Sequence, residues 1–259
     1  MYNIYLLGSA SGVYPDYKRR YTSWLLQEKS GKYLMFDCGS GSVESSYCLG
    51  IDPLLIDKIF ITHPHTDHTG GLTTFLGFFI KRMWDVDEFA SKRTMDFYSP
   101  CPKSVEGARL MLEAEFADMP VIVNHHEISP GHVYEDDEVT IDCLPTLHRN
   151  YRNGKPTCYG YRITFRDGRR IIFTGDFKNI DEFAPWLSEG CDLLMLETGH
   201  HTASTLCETI RHNNWHVKEL FFIHHGLAML DDMEGERRRA EEAWGAPVII
   251  GEDSMLYTF

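Results

Sequence analysis

His63, His65, Asp67 and His68 bring three imidazoles and one carboxylate into six residues of the stretch Thr62-His63-Pro64-His65-Thr66-Asp67-His68-Thr69-Gly70-Gly71. Histidines at i and i+2 on an extended loop can turn two ring nitrogens toward one ion. Asp67 and His68 point elsewhere and can serve a second ion beside it. Neutral imidazole together with carboxylate suits zinc, manganese or iron rather than calcium or magnesium. Pro64 fixes one backbone dihedral between the first two ligands, which limits the entropy lost on binding. The bland alternative is a His-rich surface turn. The cluster's place directly after the apolar run Ile59-Phe60-Ile61 argues against it.

The elements that must position these side chains can be read from the flanks. The spacing of Leu72, Phe75, Leu76, Phe79, Ile80 and Met83 predicts a helix running to about Trp84. Residues 2–7 read as a first strand, and 21–27 with 32–36 as a hairpin around Ser30-Gly31. Asp37 ends the second of these strands; it either orients a ligand histidine from behind or simply starts a turn before Gly39. Further on, apolar runs end at His148, Asp176, Glu197 and His224. Separate strands would thus deliver His63, His148, Asp176, Glu197 and His224 to one rim. Between 159 and 174 two strands flank an Asp167-Gly168 turn, a hairpin signal. His125 and His126 are adjacent on a β segment and face opposite ways, so at most one could reach a shared site. His225 stands in the same relation to His224.

The remaining elements are ordinary. Asp85-Val86-Asp87-Glu88 reads as a solvated acidic turn and 96–99 as a short strand. Ser104 reads as the cap of a helix carrying Val105, Ala108, Met111 and Leu112. Thr205 and Glu208 form a capping-box pattern. Residues 236–244 read as a helix stopped by Gly245 and Pro247. Residues 247–250 and 255–259 are expected to close a sheet. The Gly8-Ser9-Ala10-Ser11-Gly12 turn lacks a following G-K-[ST] and is not a nucleotide loop.

The cluster resembles the signature T-H-x-H-x-D-H-x-G-G of the metallo-β-lactamase superfamily. The segment Gly8…Pro15…Arg20-Tyr21-Thr22-Ser23-Trp24-Leu25-Leu26, with Leu34-Met35-Phe36-Asp37-Cys38-Gly39, is similar to the opening of its ribonuclease Z branch. The resemblance implies an α/β protein built as a four-layer αββα sandwich, with a one- or two-metal site at a sheet edge. We expect a single domain over 1–259, with an insertion at about 85–120 that roofs the site. The resemblance also implies roles. His63, His65 and His148 would hold one divalent ion, and Asp67, His68 and His224 the other. Asp176 would bridge, with His225 the fallback for His224. Two zinc ions are expected, with manganese or iron(II) as alternatives; such ions acidify a bound water for attack. His201-Thr202 is similar to the H-[ST] element of ribonuclease Z-like phosphodiesterases, so Asp67, His201 and Glu197 form the expected catalytic set. Glu197 would fix the tautomer of His201 as proton donor, with His200 pointing away.

Composition narrows the setting. The 259 residues, 43% of them hydrophobic, suffice to bury a core, and the net charge is −13. That charge argues against general nucleic-acid binding, which needs a basic patch. Lys18-Arg19-Arg20 and Arg237-Arg238-Arg239 read as solvated faces. The seven cysteines form no C-x-x-C pair, and no run of 18 apolar residues occurs. These features predict a cytoplasmic protein with free thiols as core fillers, no membrane partner, and a surface compatible with a homodimer. No basic n-region with an apolar h-region opens the chain.

The expected function is metal-dependent hydrolysis, most simply of a small phosphodiester or cyclic phosphate. Only 27 residues separate His148 from Asp176, too few for the long basic arm expected of a tRNA-processing relative. The substrate expectation is therefore a small molecule, with no tight nucleic-acid binding. Two alternatives stand beside it: a thioester hydrolase of the glyoxalase II kind, and a non-catalytic metal-binding protein.

Overall fold

The structure is a computed structural model. It describes residues 2–12, 18–86, 92–116, 119–148 and 154–259. Met1, Pro15, and Asp87 and Glu88 of the expected acidic turn lie outside them. In chain order the strands are β1 (Asn3–Gly8), β2 (Ser23–Gln27), β3 (Tyr33–Phe36), β4 (Ile56–Phe60), β5 (Arg93–Ser99), β6 (Val121–Glu127), β7 (Gly131–Glu135), β8 (Val139–Pro145), β9 (Tyr159–Phe165), β10 (Arg170–Phe173), β11 (Cys191–Thr198), β12 (Val217–His225), β13 (Ile249–Ile250) and β14 (Leu256–Thr258). They form two compact units, each built on one seven-stranded sheet.

The first unit orders its strands β14-β1-β2-β3-β4-β5-β6. The first three pairings are antiparallel, and β3 through β6 run parallel. Helices α1 (Ser42–Cys48), α2 (Thr66–Thr69), α3 (Leu72–Val86) and α4 (Pro102–Glu113) belong to this unit. All six residues of the expected α3 stripe are buried, and they pack on Leu25, Met35, Ile59 and Phe97 of the sheet. Alternation along each strand sends Trp24, Phe36, Phe60 and Tyr98 to the opposite face. Burying one such aromatic or aliphatic side chain contributes about 1.5–3 kcal/mol.

The stretch expected as an insertion contributes the end of α3, β5 and α4. Val105, Ala108 and Leu112 of α4 join the same core as α3. Asp85 and Val86 end α3 rather than forming a turn. Helix α4 starts at Pro102 after an N-cap at Cys101, so Ser104 lies inside the helix and caps nothing. Proline is well suited to that first position, since its missing N–H has no helical partner there anyway.

The second unit orders its strands β13-β12-β11-β10-β9-β8-β7. Here β10 through β13 run parallel, and the β9–β10 hairpin turns at the expected Asp167-Gly168. Helices α5 (Ala184–Leu187), α6 (Ala203–His212), α7 (Leu227–Asp231) and α8 (Met233–Trp244) complete it. Leu206, Cys207 and Ile210 of α6 and Ala240 of α8 pack on Leu194, Leu196, Leu220 and Phe222. Helix α6 begins after Thr202, earlier than the Thr205–Glu208 pattern predicts, and Thr205 Oγ1 meets Thr202 Oγ1 at 2.7 Å instead of capping. Gly245 ends α8 at φ 82°, as the sequence predicts for a helix stop. The last two segments do not close one sheet: β13 pairs with β12, whereas β14 pairs with β1.

Candidate metal centre

In the first unit the chemistry sits just past the C-terminal ends of β3 and β4. His63 Nε2 and His65 Nδ1 lie 2.9 Å apart, so the two rings converge on one point. The one-turn helix α2 follows, with His65 at its N-cap position, and turns Asp67 and His68 back toward the strand ends. Asp67 Oδ2 stands 3.4 Å from His68 Nε2. The stretch thus offers two separate donor pairs.

Asp37 holds this arrangement from behind. Its carboxylate accepts from the Thr62 backbone N–H at 2.8 Å and the Thr62 hydroxyl at 2.9 Å. It also meets His68 Nδ1 at 2.7 Å, with both side chains fully buried. That contact places the proton on Nδ1 and turns Nε2 outward as a donor to an ion. Of the two sequence readings of Asp37, the structure gives the orienting one. The residue has φ 55°, a left-handed backbone that aspartate tolerates better than most side chains do. The Thr62 hydroxyl also lies 3.0 Å from His63 Nδ1, so Thr62 links Asp37 to the histidine pair, a contact that residue types and spacing do not announce.

The loop closes by backbone approach. Cys38 N–H donates to His68 O at 2.7 Å, and Gly71 N–H donates to Cys38 O at 2.8 Å. A Cβ on Gly71 would fall 2.3 Å from Gly39 O, so the motif's second glycine is required by space.

In the second unit, Asp176 follows β10 and is 2% exposed. Its two oxygens face different histidines: Oδ2 lies 3.5 Å from His148 Nε2, and Oδ1 lies 3.4 Å from His224 Nε2. Asp176, His200 and His224 each offer a donor atom within 4.8 Å of the others. Imidazole nitrogens around one carboxylate suit a borderline transition ion. The residues in both units therefore fit the expected metal type. His224 has φ 52°, the second strained backbone among the candidate residues. Its neighbour His225 is fully buried, with Nδ1 at 2.8 Å from Thr198 Oγ1 and Nε2 at 2.8 Å from Gly251 O. Both its ring nitrogens are thus used in structure, and of the two histidines it is His224 that faces Asp176.

The contact with Glu197 expected of His201 is made by His200. Glu197 accepts the His200 backbone N–H at 2.8 Å and meets His200 Nδ1 at 2.9 Å. His201 instead stacks flat on Phe177, with ring centroids 4.4 Å apart, and its Nε2 lies 3.2 Å from Phe177 O. Its distance to Glu197 Oε1 is 3.7 Å. The reason is local: Glu197 is the penultimate residue of β11, and the Thr198-Gly199 step turns the residue three places on back over the carboxylate. That i+3 spacing was visible in the sequence. Burial pushes the Glu197 carboxyl up, but hydrogen bonds and charge from His200 and His224 outweigh it and hold it well below the usual range. The hydrogen bond to Glu197 in turn raises His200, against the effect of burial.

His125 and His126 lie on β6 and belong to neither ligand set. Cys38, Cys143, Cys158, Cys191 and Cys207 are buried and unpaired in disulfides, as core fillers should be. Burial pushes the Cys143, Cys191 and Cys207 thiols up to about 12. Among the described residues no helix is long and apolar enough to cross a membrane.

Comparison with known proteins places these features. The β-lactamase superfamily domain matches residues 33–238. Ribonuclease Z of Microcystis aeruginosa is 32% identical over 165 residues, covering 63% of this chain and 47% of that protein. The chain thus spans about half the length of that curated relative. Among solved structures, the metallo-β-lactamase fold protein YhfI from Bacillus subtilis aligns with a TM-score of 0.73 at 19% identity, over 99% of this chain and 98% of that one. The short form of human tRNase Z aligns with a TM-score of 0.72 at 21% identity, over the same shares. At these identities the likeness shows the fold, which is the αββα metallo-β-lactamase fold expected from the motif.

The relatives also correct an expectation. A small-molecule substrate without nucleic-acid binding does not stand, because the relatives are ribonucleases by name. The argument from net charge fails for a physical reason. A charge of −13 sums the whole surface, whereas phosphodiester recognition by a metal site is local.

Proposed function

The chain belongs to the β-lactamase superfamily, and from that membership we propose that it is a metal-dependent hydrolase that cleaves phosphodiester bonds in RNA. The observation that carries the proposal is Asp176, whose two oxygens face His148 and His224 separately, in a chain whose relatives are ribonucleases. In this reading, which follows the family resemblance, His63, His65 and His148 would hold one divalent cation, Asp67, His68 and His224 would hold a second, and Asp176 would be shared. Bound ions of this kind acidify water and neutralise charge developing on phosphoryl oxygens.

The chain's own residues supply the rest. Asp37 keeps the His68 proton on Nδ1, so that Nε2 stays a donor. Glu197, held ionised, keeps a proton on His200 Nδ1 and fixes the ring beside Asp176. A leaving ribose oxygen needs a proton, and His200, whose pKa Glu197 raises, would give it from Nε2 of the doubly protonated ring while Nδ1–H stays on Glu197. His201, set against Phe177, supports that loop.

The test is direct. Protein loaded with zinc or manganese is incubated with labelled single-stranded and tRNA-containing RNAs, with a thioester and a lactam as controls. The proposal expects RNA cleavage that a chelator stops and added metal restores. Full metal content with thioester turnover and no RNA cleavage would overturn it.

A further inference from the structure

A row of stacked rings crosses the first unit's sheet on the face turned away from α3 and α4. Strand register sets Trp24 opposite Phe36, Phe36 opposite Phe60, Phe60 opposite Tyr98, and Tyr98 opposite His126. Successive centroids are 4.3, 5.1, 4.7 and 4.6 Å apart, with interplanar angles of 9°, 19°, 11° and 15°. Trp24, Phe36 and Phe60 are fully buried. The row ends on His126, whose side chain is 45% exposed, on β6 at the edge of the sheet.

A solvated histidine at a sheet edge needs no fixed orientation, yet this one is fixed. His126 Nε2 meets Asp96 Oδ1 at 2.8 Å, and the same oxygen accepts from Asn124 Nδ2 at 3.1 Å. One ring face lies on Tyr98, and among the described residues β6 is the edge strand of this sheet. With the His126 side chain partly exposed, a ligand's ring can extend the row.

We propose that His126 is a stacking platform for an unpaired base of the RNA substrate, with Asp96 and Asn124 along its edge. The proposal rests on the RNA-cleaving reading above and names a subsite for it. Single-stranded RNA is recognised largely by stacking its bases on flat side chains, histidine included. The position suits a base near the scissile bond. Phe60, in the same row, ends β4 three residues before His63. Adjacent strands lie about 4.8 Å apart, so His126 stands two strands over, on the order of 10 Å from β4. A base on its outer face stands about one spacing further, roughly 14 Å from β4, or about four stacked bases at about 3.4 Å each. The edge offers a carboxylate and an amide, which can hydrogen-bond base edges but do not attract phosphate. Contact through a base face also tolerates the acidic surface.

The test reads binding and turnover separately. Metal-loaded protein is titrated with single-stranded RNA carrying 2-aminopurine at successive positions, whose fluorescence is quenched on stacking. Wild type should quench one position near the cleavage point. His126→Ala should lose that quenching and weaken RNA affinity about tenfold, within the about 5- to 150-fold range typical of one stacked base. His126→Phe should restore both. Metal content and turnover of bis(p-nitrophenyl) phosphate, which offers no base, should be unchanged in both variants. Absence of quenching in wild type, or equal affinity in wild type and His126→Ala, would overturn the platform. So would equal impairment of the Ala and Phe variants. RNA that binds with the expected quenching but is never cleaved would instead overturn the hydrolase reading and leave the platform standing.

Discussion

At the scale of single residues, neighbours in sequence differ most in what they do. His224 and His225 are adjacent on β12, but His225 spends both ring nitrogens on Thr198 and Gly251. His225→Ala is expected to lower the melting temperature, since leaving buried partners unsatisfied costs about 1–3 kcal/mol, while metal content holds. His224→Ala is expected to do the reverse: metal is lost and the fold remains. Calorimetry and elemental analysis on the two variants check this, and similar metal loss in both would refute it. His200 and His201 make a second pair. His200→Ala is expected to lower turnover of RNA by about 10²–10⁴-fold, as removal of a positioned acid does. His201→Ala should cost far less, because its ring stacks on Phe177. A larger loss for His201→Ala would return the acid role to that residue. Asp37→Asn should weaken metal binding by about 10–100-fold, the usual cost of losing a carboxylate behind a ligand histidine; competition with a chromogenic chelator measures it.

The candidate donors stand out in the sequence because their types and spacing suit a metal site. The preference for His224 over His225 rests on the resemblance, and which of His200 and His201 meets Glu197 is not legible. That choice depends on the backbone: the positive φ at His224 and the tight step after Glu197 are set by packing around them. Periodicity carries no information about a single reversed dihedral.

At the scale of elements, the α3 stripe and the hairpins followed from periodicity and turn residues, and all six stripe residues are buried. The stretch after α3 was harder. Its strand β5 is buried at Met95, Phe97 and Ser99 yet also carries Arg93 and Asp96, so its pattern reads as weak. Only the parallel pairing with β4 and β6 explains it. Helix starts were displaced where a capping residue in the sequence was not the one used, as at Ser104 and Thr205. The metal loop depends on an element-level fit as well. Gly71→Ala would set a methyl 2.3 Å from Gly39 O, so the loop cannot close as it stands. The variant is expected to lose metal bound through His63, His65 and His68 while far-ultraviolet circular dichroism stays near wild type. Full metal occupancy in Gly71→Ala would show that the close approach is not required.

At the scale of the whole molecule, the charge of −13 remains informative even though it does not exclude RNA. It predicts that few phosphates are neutralised by lysine or arginine. For single strands the slope of log affinity against log salt is about −0.7 per phosphate. A magnitude of about 2 or less is expected for RNA binding to metal-loaded protein, and a slope several times steeper would reveal a basic surface that the composition conceals.

The central claim is that the ligands converging on Asp176 power hydrolysis of an RNA phosphodiester. Cleavage of a 5′-labelled RNA by wild type and Asp176→Ala, with metal content measured on the same samples, tests it most directly. About two transition ions per wild-type chain are expected, the number a two-metal site needs. Cleavage should be abolished by a chelator and restored by metal, with both metal content and cleavage lost in Asp176→Ala. An Asp176→Ala protein that keeps its ions and cleaves RNA at the wild-type rate would contradict it.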